Sequence, residues 1–254
     1  MPFYQSSSIR AQSGSATSIS PAKPTIDGNN GVLYALVFSK NNETHSCADS
    51  DWQKIDQVNS GASFTASLWY APDTAAAPTF TWSTAAACAA DIAYFADPQN
   101  VVELAPGSTT NNNGSGNPHT TSAIVSTQDD SLFVYFDAAA ANSSLGQPSG
   151  WTEHDDLGYA TDGGRTAFGS KQAGSAGSSS GAISVNGANA AWVQFQVEIR
   201  GAAPVGFQIS KESVTAWLEP KPGFAVSQMS LLAWLAPASS PPPSSGRRRA
   251  LIVN

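Results

Sequence analysis

The densest run of ionisable side chains in the sequence is Glu153-His154-Asp155-Asp156. Histidine and carboxylates can act as general bases or hold a metal ion. Successive residues on a strand point to opposite faces, so only two of the four can converge. No second histidine cluster stands at metal-site spacing, and the run reads as a solvated strand end. Asp49-Ser50-Asp51 and Asp129-Asp130 carry oxygens suited to Ca²⁺ but lack the ligand density of an EF-hand loop, so they read as turn carboxylates. Gly177-Ser178-Ser179-Ser180-Gly181 matches the G-x-S-x-G pattern of a nucleophile elbow. That pattern needs an acid and then a histidine later in the chain, and none of the three histidines follows His154. The serines therefore read as a flexible loop. With no P-loop, G-x-G-x-x-G or CxxC pair, no catalytic, cofactor-binding or metal residue is assigned, and no cofactor is expected.

Aromatic residues offer a different chemistry. Trp52 and Trp151 each precede a polar stretch, and 99 residues separate them. A loop tryptophan can stack on a sugar ring or plug the end of a sandwich. The repeated position favours the plug, and Trp52 and Trp151, with Trp69 beside them, stay as candidate glycan contacts. Cys47 and Cys88, the two cysteines, allow either a disulfide or two buried thiols.

Composition limits what can position these groups. Hydrophobic residues are 41% of 254, enough for a core, while only 12% are charged and the net charge is −7. An acidic body with twelve basic residues, three of them in Arg247-Arg248-Arg249, is a poor partner for nucleic acid. The start, Met1-Pro2-Phe3-Tyr4-Gln5-Ser6, has no signal-peptide pattern, and no stretch reaches membrane-spanning length. A soluble protein made in the cytoplasm is expected.

Short aromatic and β-branched runs between Gly, Pro, Ser and Asn turns predict an all-β fold, a β-sandwich or jelly roll. The clearest strand, Trp192-Val193-Gln194-Phe195-Gln196-Val197-Glu198-Ile199, alternates over eight residues. Val193, Phe195, Val197 and Ile199 should face the core; Gln194, Gln196 and Glu198 should face water. The Ala-rich stretch 84–90 is too short to predict a helix. Residues 105–120, with Asn111-Asn112-Asn113-Gly114, read as an outside loop.

Three strand-like runs recur around Leu33, Leu132 and Leu231, each 99 residues from the last. They divide the chain into two similar β units and a fragment. The expected organisation is an N-terminal arm (1–18), a sandwich domain (19–212, internal repeats 19–110 and 120–200), a partial third repeat or strand-exchange segment (213–236) and a Pro-rich, Arg-containing tail (237–254). Both ends are expected to be extended arms. The tail passes through Pro241-Pro242-Pro243, which favours stiff polyproline II, to Arg247-Arg248-Arg249-Ala250-Leu251-Ile252-Val253. Candidate partner contacts are Trp217, Leu231, Trp234, Arg247, Arg248, Arg249, Leu251, Ile252 and Val253.

Gln147-Pro148-Ser149-Gly150-Trp151-Thr152-Glu153 resembles the "PSGWT" element of β-sandwich proteins in tailed bacteriophages and gene-transfer particles. The opening of that family's unit looks like Lys23-Pro24 to Phe38, with a partial version at Lys221-Pro222 to Leu235. Its closing strand looks like residues 190–200. The first unit departs from the pattern, with Ser50-Asp51-Trp52 in place of Ser149-Gly150-Trp151. The resemblance implies a virion protein without catalytic residues: a head decoration, head fibre or spike, or another surface accessory. Expected partners are other virion proteins, including copies of itself in a symmetric oligomer; its location would be the virion. The competing expectation is a receptor- or glycan-binding adhesin, and behind it a polysaccharide-degrading enzyme.

Overall fold

The computed structural model describes residues 2–201 apart from 8–10, 27–29, 98–101, 159–160, 162 and 188. Among them are fourteen strands and no helix. The first group is β1 (Phe3–Ser7), β2 (Ala11–Ile19), β3 (Val32–Ser39), β4 (Ser46–Cys47), β5 (Gln53–Asn59), β6 (Thr65–Pro72) and β7 (Phe80–Ala96). The second is β8 (Thr109–Gly114), β9 (His119–Thr121), β10 (Leu132–Ala139), β11 (Thr152–Gly158), β12 (Arg165–Gln172), β13 (Ile183–Val185) and β14 (Trp192–Ile199). One antiparallel sheet runs β1-β7-β3-β6-β5, with β2 and β4 also paired to β7; the other runs β11-β12-β10-β14-β8, and β9 pairs with β13 in a two-stranded ribbon.

The two sheets pack face to face, which makes the body β-sandwich-like. Val32, Tyr34, Leu36 and Phe38 of one sheet meet Leu132, Val134, Phe136, Phe195 and Val197 of the other. Burying each of these aromatic or branched side chains stabilises the fold by roughly 1.5–3 kcal/mol. The outer faces are covered as well. Trp52, Trp69, Phe80 and Trp82 lie over the first sheet, and Trp151, Ile183, Val185 and Trp192 over the second. Double coverage explains why β3 and β10 are buried at every residue and read as near-continuous apolar runs.

Connections match between the sheets. β3 pairs β6 from Val32↔Pro72 to Ser39↔Thr65, and β10 pairs β12 from Leu132↔Gln172 to Ala139↔Arg165. Edge strands β5 and β11 each carry a register shift one residue in from their second pair, between Lys54 and Asp56 and between Glu153 and Asp155. Charged, bulged edges resist pairing with foreign strands. Trp52 and Trp151 each donate their N–H to the carbonyl three residues back, at 3.2 Å. Gly150 reaches this turn at φ +80°, whereas Asp51 does so at negative φ with its N–H bonded to Asp49 Oδ1 at 3.0 Å. The leucine recurrence is one residue out of step with these ladders. Leu33 belongs to the outer cluster and Leu132 to the inner one, because the corresponding positions of β3 and β10, and of β6 and β12, stand 100 apart. A one-residue slip turns a side chain to the other face.

Several expectations change. Residues 3–7 and 11–19, read as an arm, are strands laid along β7. Residues 109–114, read as a loop, form the edge strand β8 on β14. Polar, Asn- and Ser-rich segments can pair through main chain alone when one side remains in water. The Ala-rich 84–90 stretch lies inside β7, whose small side chains let β2 and β3 pack closely. Val193, Phe195, Val197 and Ile199 do face the core, but Gln194, Gln196 and Glu198 are fully buried instead of facing water. Cys47 and Cys88 are not disulfide-bonded. The segments 213–236 and 237–254 lie outside the described residues.

Candidate functional site

The register shift in β11 breaks the alternation expected of residues 153–156. Glu153 pairs opposite Gly169 and Asp155 opposite Phe168, leaving His154 as the extra residue. Asp156 is clamped by Arg165, whose Nη2 donates to Oδ2 at 2.7 Å and whose Nε donates to Oδ1; Ser144 Oγ donates to Oδ2 at 2.7 Å. Burial and the neighbouring Asp156 push the Glu153 carboxyl up. His154 turns to the opposite side, stacked on Tyr4 at 4.1 Å with its Nε2 2.7 Å from Ser170 Oγ. The four side chains thus split between two environments. No group of three or more His, Cys, Asp or Glu able to hold a metal ion occurs among the described residues.

The other two histidines sit in buried, directional networks. Trp69 Nε1–H donates to Ser67 Oγ at 2.8 Å, and Ser67 lies 2.8 Å from His45 Nδ1. His45 Nε2 lies 2.7 Å from Ser39 Oγ, which donates to Asn41 Oδ1 at 2.6 Å. The donors run one way only if Ser67 donates to Nδ1 and Nε2 carries the proton, the neutral ring. Burial, with Lys54 nearby, lowers the His45 pKa to about 3. Under the β9–β13 ribbon, Gln196 Nε2 donates to Thr121 Oγ1 at 2.8 Å, and Thr121 donates to Gln194 Oε1 at 2.8 Å. Gln194 Nε2 in turn donates to Asp137 Oδ2 at 2.8 Å, and His119 Nδ1 meets the same carboxylate at 2.9 Å. His119 stacks on Trp192 at 4.9 Å. A Cβ on Gly187 would stand 2.8 Å from His119 Nε2, so only glycine allows this close approach of the chain.

Glu198 is a third hub. Its carboxylate accepts from Ser108 N–H (3.0 Å), Thr127 N–H (2.7 Å), Thr127 Oγ (2.8 Å) and Ser131 Oγ (2.8 Å). Burial raises its pKa, but these bonds outweigh it and hold the carboxyl below the usual range. In the sequence, Gln194, Gln196 and Glu198 read as water-facing, and His45, His119 and Asp137 are not singled out. Their only trace is polar residues recurring on one face of apolar strands, as at Asp137, Gln194 and Gln196.

Trp52 and Trp151, the candidate glycan contacts, are 3% and 5% exposed, and Trp69 is 5% exposed. Trp52 packs edge-on to Phe80 and donates Nε1–H to Ala76 O at 3.0 Å; Trp151 packs edge-on to Tyr135. A sugar cannot stack on rings enclosed in this way, so they plug the outer faces. Gly177 and Gly181 bound a loop at φ +84° and +77°, with Ser180 buried beneath it. Asp49 and Asp129 cap turns through Asp51 N–H and Ala176 N–H. Trp217, Leu231, Trp234, Arg247, Arg248, Arg249, Leu251, Ile252 and Val253 lie outside the described residues.

One corner of the sandwich is open. Where β1 meets the ends of β11 and β12, a pocket of about 280 Å³ is lined by Phe3, Tyr4, Gly150, Thr152, His154 and Ser170, with Leu132, Lys171 and Gln172 completing it. Gln172 Nε2 donates to Pro2 O at 3.1 Å and ties β12 to the N-terminal strand. No family model matches the chain, and neither a curated protein nor a solved structure similar to it was found.

Proposed function

We propose that this chain is a structural component of a phage-like virion: a head decoration, a head fibre or spike, or another surface accessory. It is made in the host cytoplasm and carried on the particle. Its partners are other virion proteins, copies of itself in a symmetric oligomer among them. In this reading the body is two similar units folded onto one another, each built on an antiparallel sheet that ends in a bulged edge strand, β5 or β11. The PSGWT-like turn ahead of β11 supports this reading from sequence.

The observation that carries it is the closure of the body. The central strands β3, β10 and β14 are buried on both faces, and the sheet edges are stitched to one another. At one side Asn111 bonds Asp56 and Ser60 Oγ donates to Gly114 O at 2.6 Å; at the other Tyr4 lies on His154. Of the ionisable groups flagged by the sequence, Asp156, His154, Asp49 and Asp129 make hydrogen bonds within the fold. Such a body acts through its surface and through terminal segments, whose repeated contacts add by avidity.

Mass spectrometry and electron microscopy of gradient-purified particles test this. The chain should co-sediment with particles in stoichiometric amount and occupy a fixed position in the map. Its absence from particles of the producing cell would overturn the proposal.

A further inference from the structure

We propose that the pocket between β1, β11 and β12 binds a single neutral pyranose residue, such as the terminal unit of a glycan. Phe3, 37% exposed, is one of three exposed large apolar side chains among the described residues, and it forms one wall. Leu132 adds apolar lining, and the polar lining is the Thr152 hydroxyl, the Ser170 hydroxyl beside His154 Nε2, and the Gln172 amide, whose Oε1 stays open while its Nε2 bonds Pro2 O. A sugar ring has this division: a C–H face that packs on an aromatic ring and a belt of hydroxyls that exchange hydrogen bonds. The volume, about 280 Å³, sits at the small end for ligand pockets and suits one ring.

Charge points the same way. No carboxylate lines the pocket, and the Lys171 ammonium is turned to Ser180 O at 2.9 Å. His154 is neutral at pH 7, since burial lowers its pKa to about 4.

The first sheet supplies an internal comparison. In β11 and β12 the pair preceding the register shift by one step is Thr152↔Ser170; in β5 and β6 it is Gln53↔Tyr70. There Tyr70 donates to Gln53 Oε1 at 2.6 Å, and its ring lies 6.5 Å from Tyr34. The second sheet puts a serine where the first has a tyrosine ring, and the opening appears beside that serine. This assignment is independent of whether the protein rides on a particle.

Saturation-transfer NMR of the full chain with methyl glycosides of glucose, galactose, mannose and N-acetylglucosamine tests it. At least one should bind in the millimolar range, and Phe3→Ala should weaken it roughly tenfold. Ser170→Tyr, which reproduces the first sheet's arrangement, should abolish binding. Urea unfolding checks that each variant is folded, and Gln172→Ala, at an exposed position, replaces either one that is not. No transfer to any neutral glycoside would overturn the proposal, as would binding unchanged in the folded variants. Binding confined to acidic sugars or inorganic phosphate would overturn it too.

Discussion

His45 stands in an unbroken donor chain from Trp69 to Asn41, and a second ring proton, on Nδ1, would take the acceptor away from the Ser67 hydroxyl. With a folded pKa of about 3 against an ordinary 6.5, the unfolded chain takes up the proton first on acidification. The stabilisation is complete above about pH 6.5 and is lost as pH falls toward 3. Glu198 acts in the same direction, because its lowered pKa gives stability that fades as pH drops below the ordinary carboxylate value. Urea midpoints should therefore fall from pH 7 to pH 4. His45→Gln should cost about 1–3 kcal/mol at pH 7 and reduce that slope, leaving the share that His154, with its pKa lowered to about 4, contributes in the same direction. Glu198→Gln, measured the same way, should lose about 2 kcal/mol, since four donors would meet a neutral amide in place of a carboxylate.

At the scale of elements, the covering strands turn two half-buried sheets into doubly buried ones. The β9–β13 ribbon rests on the His119–Asp137–Gln194 network, and Gly187 is the point where the chain passes His119 too closely for a side chain. Gly187→Ala should push the ribbon outward and destabilise by about 1–3 kcal/mol, with faster amide exchange in residues 119–121 and 183–185. The N-terminal strands give a sharper contrast. A dispensable arm could be removed without effect, but β1 pairs with 93–96 of β7 and β2 with 80–90. Deleting residues 2–19 should expose that edge and yield aggregated protein in size-exclusion chromatography.

The whole molecule is held by one shared interior. Phe136 of the second sheet stacks on Tyr34 of the first at 5.9 Å, and Phe195 joins the same cluster. Neither sheet keeps its inner face covered without the other, so both should unfold together. Trp52, Trp69 and Trp82 report on the first sheet and Trp151 and Trp192 on the second. Single-Trp removals should leave coincident urea transitions. Phe136→Ala, which cuts into the shared layer, should lower both by about 3–5 kcal/mol. Two separated transitions would show independent halves.

Fold class was legible because strand alternation and turn residues are local signals. From residues 192–199 alone, the apolar face of β14 could be named. The placement of Trp52 and Trp151 as plugs also followed from their repetition. What lay beyond reach was set by pairing between distant segments. Whether Gln194, Gln196 and Glu198 met water depended on a ribbon from residues 119–121 and 183–185 and on loops around 108 and 127–131. The polar lead-in and the Asn run became strands because β7 and β14 offered unpaired edges. The pocket exists through one serine opposite Thr152, seen as an opening only beside its tyrosine counterpart. Local residue types determined which faces were apolar; tertiary structure decided what covered the others, since main-chain pairing is nearly blind to side chains and burial is a property of neighbours far away in the chain.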